Sequence, residues 1–280
     1  MTGGAGTVRL AVVTVVRDDL PGLLATRASL RAQTAAAYDW FVADGGSSDG
    51  TARWLARHAD EAAWWRSSPD RGLYDAMNIA LDAIAERSPP DNAPGNAPCS
   101  HVLFLNAGDR LADGRVLERL LPILAEHPDA GLFYGDALEE LPGGRLVVKR
   151  ARSHRRALLG MFTHHQAMVY RLGESPAPRF DPRHGLAADY AFTLTMLKQG
   201  PRAQRLPLSV CIFAGGGRSQ QDPARGRREQ AIIRRELLGV GYTTNATLWA
   251  LQWLALTLRQ TIPWLYAKYR FSPNERSFLS

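Results

Sequence analysis

The stretch Trp40-Phe41-Val42-Ala43-Asp44-Gly45-Gly46-Ser47-Ser48-Asp49-Gly50-Thr51 decides how the rest of the chain is interpreted. Its apolar first part predicts a buried strand, and the Gly/Ser turn after Asp44 predicts the exit of that strand. Asp49 then predicts the start of a helix. An acid and free backbone amides at the end of a buried strand are what open α/β sheets use to hold ligands. We therefore expect Asp44 and its turn to hold a nucleotide.

Strand and helix patterns alternate along the first half of the chain. Strands are predicted at 8–16, 40–43, 63–66, 101–105 and 131–136, with helices after Pro21, after Asp49, at 73–87 and at 114–127. Such alternation predicts an α/β fold with a mostly parallel sheet flanked by helices. Beyond residue 141 the pattern is mixed, with strands predicted at 145–149, 166–171 and 206–214 and a helix at 186–199.

Charge is divided unevenly along the 280 residues. Residues 1–140 carry 12 Lys+Arg and 20 Asp+Glu, a net −8, whereas residues 141–280 carry 22 and 7, a net +15. The acidic half suits a metal or a polar ligand, and the basic half suits phosphates or an anionic membrane face. The basic half contains no nucleic-acid motif, so no nucleic-acid partner is expected. Cys99 and Cys211 lack metal-type spacing, which favours reduced thiols in a cytosolic protein.

Acidic residues follow three of the predicted strands, as Asp18 and Asp19, Asp44 and Asp49, and Asp109. Each alone is an ordinary turn residue, but the carboxyl ends of parallel strands meet at one edge of a sheet, where ligands bind. Neither a Gly-x-Gly-x-x-Gly motif after the first strand nor a P-loop motif is present. A divalent cation that bridges a diphosphate to Asp109 fits better.

Six segments in order carry a resemblance to a known family. They are VTVVRDD (13–19), VADGGSSDGT (42–51), SPDRGLYDAMNIAL (68–81), LFLNAGDRL (103–111), FTHHQAMVYR (162–171) and FDPRHGLAADYAF (180–192). Over about residues 8–219 the chain resembles the family 2 glycosyltransferases of the GT-A fold, a Rossmann-like architecture. Within that family it is most similar to bacterial polysaccharide and lipopolysaccharide transferases of the colanic-acid type.

The resemblance implies an inverting glycosyltransferase of the hexosyltransferase type, working in cell-surface polysaccharide assembly. The donor would be a UDP- or GDP-sugar, the acceptor a hydroxyl of a glycan or a lipid-linked acceptor, and the cofactor Mg2+ or Mn2+. The donor-binding residues it implies are Thr14, Asp18, Asp44, Asp70, Arg71, Gly72, Asp75, Asn78 and Asn106. Tyr74 is expected beside them, toward the sugar.

The turn after the strand predicted at 101–105, where the resemblance implies a metal ion, departs from the family pattern. The family usually carries Asp-x-Asp there, whereas this chain has Asn106-Ala107-Gly108-Asp109. A neutral amide can align a sugar hydroxyl, and one carboxylate with diphosphate oxygens can hold the cation. We therefore expect Asp109 to be the metal ligand.

Asp189 matches the acidic position of the family at a helix start, and one carboxylate there is what inverting transfer needs as general base. The alternative is an acid favoured only by the helix dipole. His165 and Gln166 match the family and are expected to contact the sugar or acceptor. Since neighbouring strand residues point to opposite faces, only one of His164 and His165 is expected to reach the site.

Arg218 follows three glycines and is expected on a loop that closes over the donor and neutralises the leaving diphosphate. The alternative is a mobile surface loop. The expected domains are a flexible N-terminus (1–7), a glycosyltransferase domain (8–222), and basic, aromatic helices (223–280). Within the middle domain, residues 8–140 form the nucleotide-sugar half and 141–222 the acceptor half.

The C-terminal helices combine Trp and Tyr with Lys and Arg, a mixture typical of membrane interfaces. The apolar run 246–258 has 13 residues, fewer than the roughly 20 that span a bilayer. Residues 225–271 are therefore expected on the cytoplasmic face of the inner membrane. The alternative is packing on the catalytic domain or against a second copy in a homodimer.

Two other classes of protein stay open. A nucleotidyltransferase would want a basic Gly-rich loop after the first strand, where this chain has Arg17-Asp18-Asp19. A sugar-binding or membrane scaffold with the same fold, weak in catalysis, is supported by Asn106 alone.

Overall fold

Strands from both halves of the chain join one sheet. The computed structural model describes residues 8–87, 98–141, 144–173, 179–199, 202–215 and 222–261. The strands are β1 (Leu10–Val16), β2 (Tyr38–Asp44), β3 (Trp64–Ser67), β4 (His101–Phe104), β5 (Arg110–Leu111), β6 (Ala130–Glu140), β7 (Leu146–Lys149), β8 (Met168–Arg171) and β9 (Arg202–Phe213). The helices are α1 (Leu20–Arg31), α2 (Thr51–Arg57), α3 (Leu73–Glu86), α4 (Val116–Glu126), α5 (Ala188–Lys198), α6 (Pro223–Leu238) and α7 (Tyr242–Thr261).

The order of the strands across the sheet is β3-β2-β1-β4-β8-β6-β9-β5, and β7 pairs with β6. Strands β1 to β4 pair in parallel with one another, and β6 pairs in parallel with β9. β8 is antiparallel to both β4 and β6, so β6 runs in the direction of β4. Six of these strands therefore share one direction, and the predicted α/β fold with a mostly parallel sheet is confirmed.

The core lies on both faces of this sheet because side chains along each strand alternate between faces. In β1, Val13 packs in one apolar cluster and Val12 in the other. Helices α3 and α5 cover the first face, with Met77 and Phe192 in its cluster. Helices α1 and α4 cover the second face, where Leu120 is buried. Helices on both faces leave the strand ends as the place for a site.

The segment before β8 differs from the predicted strand at 166–171. Residues His165–Ala167 form a short 3-10 helix, and β8 begins only at Met168. His164 caps that helix in an extended conformation. The two histidines therefore do not alternate as strand residues do, and both line the same cavity. The expectation that only one of them reaches it is wrong.

Helices α6 and α7 pack on the body of the protein. Ile233 is fully buried in the core cluster beside α3 and α5. Arg234, also fully buried, donates from Nε to Oδ1 of Asn245 on α7 at 2.9 Å and from Nη1 to the carbonyl of Leu158 at 3.3 Å. Gln252 of α7 donates to the carbonyl of Leu159 at 3.0 Å. No helix in the described ranges is long and apolar enough to cross a membrane.

Candidate active site

A cavity of about 660 Å3 opens beyond the carboxyl ends of β4 and β9. Segments from far apart in the chain line it: the start of α3, the turn after β4, the 3-10 helix before β8, the start of α5 and the start of α6. The predicted site residues that it brings together are Arg71, Gly72, Tyr74, Asp75, Asn106, Asp109, His165, Gln166 and Asp189. Ligands bind at this edge in open α/β sheets.

Asp109 lies in the turn after β4 and is buried. Its Oδ1 accepts a hydrogen bond from the backbone N–H of Ala214 at 3.1 Å, and its Oδ2 accepts one from Nε2 of Gln166 at 2.9 Å. Burial raises the pKa of Asp109 to about 6, and the two hydrogen bonds act in the opposite direction. The carboxylate is therefore held in place by residues on two other segments.

Thr26 of α1 fixes the turn that carries Asp109, and nothing in the sequence pointed to it. Its Oγ1 donates to the carbonyl of Asp109 at 2.7 Å and accepts from the N–H of Gly108 at 3.1 Å. Gly108 has a φ of +90°, a conformation that favours glycine. A threonine inside a helix carries no local signal of such a role, because its partners lie more than 80 residues away.

Asn106 offers a second oxygen beside Asp109 on the cavity wall. Its Oδ1 is buried and has no hydrogen-bond partner. Buried acceptors without partners are rare in folded proteins and call for an explanation. An amide oxygen and a carboxylate are ligands that hard divalent cations prefer, so the pair fits such an ion. Within the described ranges, no group of three or more His, Cys, Asp or Glu side chains forms a metal cluster.

Asp189 lies in the first turn of α5, and its side chain keeps 21% of its surface exposed. Oδ1 accepts from the N–H of Tyr190 at 2.7 Å. Burial raises the pKa of Asp189 to about 6, opposed by the hydrogen bonds of Tyr190 and Tyr74. A carboxylate with such a pKa is largely ionised at neutral pH and accepts a proton more readily than an ordinary aspartate.

His165 and Gln166 connect the two acids. Gln166 contacts Asp109, and Nδ1 of His165 lies 3.8 Å from Oδ2 of Asp189, too far for a hydrogen bond. Burial lowers the pKa of His165 to about 3, so its ring is neutral. Its Nε2 is buried without a partner, on the cavity wall. The 3-10 helix thus presents one neutral ring nitrogen between the acids.

The start of α3 is shaped by a hydrogen-bonded turn. Gly72 has a φ of +118°, and its N–H donates to Oδ1 of Asp70 at 2.8 Å. Arg71 pairs with Asp75 at 2.8 Å. A Cβ on Gly45 would lie 2.6 Å from Oδ2 of Asp70. Asp70 therefore bonds the start of α3 and lies close to Gly45 in the turn after β2, outside the lining of the cavity.

Three predicted nucleoside residues also lie outside that lining. Asp44 is buried at the end of β2 and accepts hydrogen bonds from Ser67 and from Ser47. Asp18 has a φ of +49° and accepts from the N–H of Ser48 at 2.7 Å. Thr14 is fully buried within β1 and accepts from Nε1 of Trp40 at 2.9 Å. Their role in nucleotide binding stays a prediction.

Asn78 uses its whole amide to hold another segment. Its Nδ2 donates to the carbonyl of Phe180 at 2.8 Å, and its Oδ1 accepts from the N–H of Phe180 at 2.9 Å. Asparagine is a poor helix former, and these two hydrogen bonds give a reason for its position inside α3 that requires no ligand. Its role at the donor stays a prediction. Arg218 lies outside the described residues.

Comparisons with known proteins found glycosyltransferases among the similar proteins. No family model matches the sequence. A curated relative, an uncharacterized glycosyltransferase of Mycobacterium tuberculosis, is 29% identical over 191 residues, which are 66% of this chain and 67% of the relative.

Solved glycosyltransferases share the fold. S. aureus TarS 1–349, in complex with UDP-GlcNAc, matches with a TM-score of 0.64 and 15% identity over 91% of this chain and 74% of TarS. The mannosyltransferase PcManGT of Pyrobaculum calidifontis, in complex with GDP-Man and Mn2+, matches with a TM-score of 0.59 and 19% identity over 91% of this chain and 72% of PcManGT. The relative and the shared fold together identify the chain as an enzyme of the glycosyltransferase class, with a GT-A-like fold.

Proposed function

We propose that this enzyme transfers a hexose from a UDP- or GDP-sugar to a hydroxyl of a glycan or lipid-linked acceptor, with inversion at the anomeric carbon. TarS with UDP-GlcNAc and PcManGT with GDP-Man and Mn2+ support the donor class. The observation that carries the proposal is one cavity lined by both Asp109 and Asp189, with His165 and Gln166 between them. The motif order supports family 2, in its colanic-acid-type subgroup, and a place in cell-surface polysaccharide assembly.

Asp189 is the general base in this proposal. The N–H of Tyr190 engages Oδ1, and Oδ2 is the oxygen that would take the proton of the acceptor. The acceptor proton passes to Oδ2 as the acceptor oxygen bonds to the anomeric carbon. On the opposite face the bond from that carbon to the nucleotide diphosphate breaks. One positioned carboxylate contributes roughly 100- to 10,000-fold to such a reaction.

Asp109 and Asn106 are the residues that would hold a Mg2+ or Mn2+ ion at the diphosphate end. The ion would neutralise the charge that develops on the leaving diphosphate. Gln166 keeps one oxygen of Asp109 in place by donating to it. The unpartnered Oδ1 of Asn106 supports this assignment, because an oxygen-seeking cation would satisfy it.

The remaining donor contacts follow the predicted roles. In the proposal, Asp44 and Asp18 hold the nucleoside at the ends of β2 and β1, with Thr14 behind them. Arg71 and Gly72 line the cavity toward the diphosphate, and the predicted role of Arg218 is to neutralise the leaving diphosphate. Tyr74 lies beside the acceptor end, since its hydroxyl bonds the carbonyl of Leu186 at 3.2 Å, three residues before the base.

Helix α7 supports contact with the cytoplasmic face of the membrane, where a lipid-linked acceptor would lie. Its polar residues Asn245 and Gln252 face the protein. Its apolar residues Trp249, Trp253 and Leu254 are exposed. This inverts the usual arrangement of a surface helix, and large exposed apolar patches mark interaction sites. A second copy of the chain is the competing occupant of this face.

The test compares Asp189→Asn with wild type. Asparagine keeps the acceptor for the N–H of Tyr190 but cannot take the proton, so transfer falls at least 100-fold. Nucleotide binding stays within about twofold, because the base does not hold the nucleotide. A thermal-shift screen of nucleotide sugars with and without Mn2+ first identifies the donor, and nucleoside diphosphate release then measures transfer.

Asp129→Asn is the control, since that acid is exposed and lies outside the cavity lining. It should match wild type in both measurements. Transfer close to the wild-type rate in Asp189→Asn would remove Asp189 from the role of base. Absence of binding by every nucleotide sugar in the screen would contradict the proposed function itself.

A further inference from the structure

Arg227, in the second turn of α6, is a cation on the cavity wall that the reaction described above does not use. Its Nε and Nη1 are buried and have no hydrogen-bond partner. Buried guanidinium nitrogens without an acceptor are unfavourable, so these two need a reason. On the same helix, the cavity-lining Arg225 donates from Nε to Glu229 at 2.8 Å. Glu229 is therefore paired with Arg225, and Nε and Nη1 of Arg227 remain as donors to which a ligand could bind.

Helix α6, which carries Arg227, contacts the segment that leads into the base. Oε2 of Glu229 on this helix accepts from the N–H of Ala187 at 3.0 Å, two residues before Asp189. A Cβ on Gly185 would lie 2.5 Å from Oε1 of Glu229, and Gly185 has a φ of +51°, a conformation that favours glycine. Helix α6 therefore packs directly against this segment.

Asp109 is connected to the base through the 3-10 helix. The contacts run from Asp189 to His165 and from Gln166 to Asp109. Since α6 contacts the segment before Asp189, an anion bound at α6 would lie near the segment that carries the base.

A second unpartnered group lines the same cavity. His165 is more than nine-tenths buried, and its Nε2 has no hydrogen-bond partner. Its neutral ring can donate to an oxygen without adding charge. A charged guanidinium and a neutral donor in one cavity suit a phosphate, because charge-assisted bonds to phosphate are strong.

We propose that the acceptor carries a phosphate group and that Arg227 binds this phosphate on the α6 side of the cavity. This inference rests on the proposed function and narrows its acceptor to phosphate-bearing molecules. The phosphate belongs either to a lipid headgroup or to a sugar phosphate. A neutral acceptor would leave the charge of Arg227 uncompensated.

The experiment measures binding of four probes by calorimetry with the donor site filled by saturating UDP or GDP and Mn2+. Glucose 1-phosphate is compared with methyl glucoside, and octyl phosphate with octyl glucoside below its micelle concentration. We expect the phosphates to bind wild type at least tenfold more tightly than their neutral partners. Arg227→Gln should lose this preference, and Arg227→Lys should retain part of it. Tighter binding of glucose 1-phosphate would indicate that the acceptor is a sugar phosphate, and tighter binding of octyl phosphate would indicate a lipid headgroup.

Arg228→Gln is the matched control, because Arg228 is the next residue on α6 and is exposed. It should bind every probe like wild type. Arg227→Gln should not lower the melting temperature, since the side chain has two donors without protein partners. A fall of several degrees would indicate a structural role and overturn the proposal.

Two further results would also overturn it. One is equal binding of the phosphates by Arg227→Gln and wild type. The other is phosphate binding that appears only when the nucleoside diphosphate is omitted, which would assign Arg227 to the donor. Failure of the proposed function can be distinguished from these results, because no nucleotide would then bind. In that case the four probes are measured without UDP or GDP.

Discussion

At the scale of single residues, Asp189 links the chemistry of the cavity to the stability of the fold. Its carboxyl is mostly buried and carries a pKa of about 6. Above that pH the carboxylate is charged in both states, and the charge is less favourable in the folded protein, where it is buried, than in the unfolded chain. A group whose pKa is raised on folding stabilises at low pH, and this contribution is lost as the pH rises through the folded value. Asp189, the proposed base, therefore lowers the stability of the fold at neutral pH.

Asp189→Asn is accordingly expected to be more stable than wild type at pH 8 and equal to it at pH 4. The amide has no charge to desolvate, and the expected gain is about 1–2 kcal/mol after allowance for the partial exposure. That corresponds to roughly 3–6 °C in melting temperature for a chain of this size. Differential scanning calorimetry at both pH values measures it, with Asp129→Asn as the surface control. An equal melting temperature at pH 8 would contradict a raised pKa.

At the scale of elements, α6 is the helix that completes the cavity and fixes its acceptor end. Its inner face carries Ile233 and Arg234, both fully buried. Arg234 joins three elements, because it donates to Asn245 of α7 and to the carbonyl of Leu158 in the 3-10 helix His154–Leu159. This side chain therefore links α6 both to α7 and to the body of the protein.

Arg234→Met is expected to loosen α6 and α7 while the sheet stays folded. Methionine fills much of the space but leaves Oδ1 of Asn245 and the carbonyl of Leu158 without their donor, a loss of about 1–3 kcal/mol for each. Hydrogen exchange with mass spectrometry should show faster exchange at 223–261 and unchanged exchange in β1, β2 and β4. The exposed Arg228→Met should exchange like wild type. Unchanged protection of α6 in Arg234→Met would show that apolar packing alone holds the helix.

At the scale of the whole molecule, the exposed apolar residues of α7 and the basic second half of the chain favour a membrane. The net charge of +15 over residues 141–280 would attract an anionic surface. Trp253 is 52% exposed and Leu254 49% exposed. Tryptophan is enriched at the level of lipid headgroups. The cavity and α7 are joined through α6, so a lipid-linked acceptor bound at the membrane would lie near the base.

The double variant Trp249→Ser/Trp253→Ser is expected to lose binding to anionic vesicles in a flotation assay. Wild type should float with vesicles rich in phosphatidylglycerol and less so at high salt, because charge contributes to the attraction. Leu158→Ser is the control, since Leu158 is also exposed but lies outside α7. If wild type stays unbound and light scattering shows a dimer that the double variant loses, a second copy occupies this face.

Local patterns of sequence were enough for most of the strands and helices and for the edge of the sheet at which the acids follow the strands. Apolar runs stop at Asp44 and Asn106, and turn residues follow them, so the strand ends can be located without a structure. The resemblance supplied Asp109 and Asp189, which the fold brings to one cavity. These features depend on residues that are neighbours along the chain.

The tertiary structure decided what depends on distant partners. Asn78 is bound to Phe180, 102 residues away, and α6 reaches the cavity through Glu229 and Ala187, 42 residues apart. His164 and His165 both line the cavity because a 3-10 helix replaces the predicted strand. Periodicity reports the face that an element buries, but it contains no information on which remote group will satisfy a polar side chain. For that reason the sequence determined the fold and the acids, and only the packed chain determined the shape of the acceptor end.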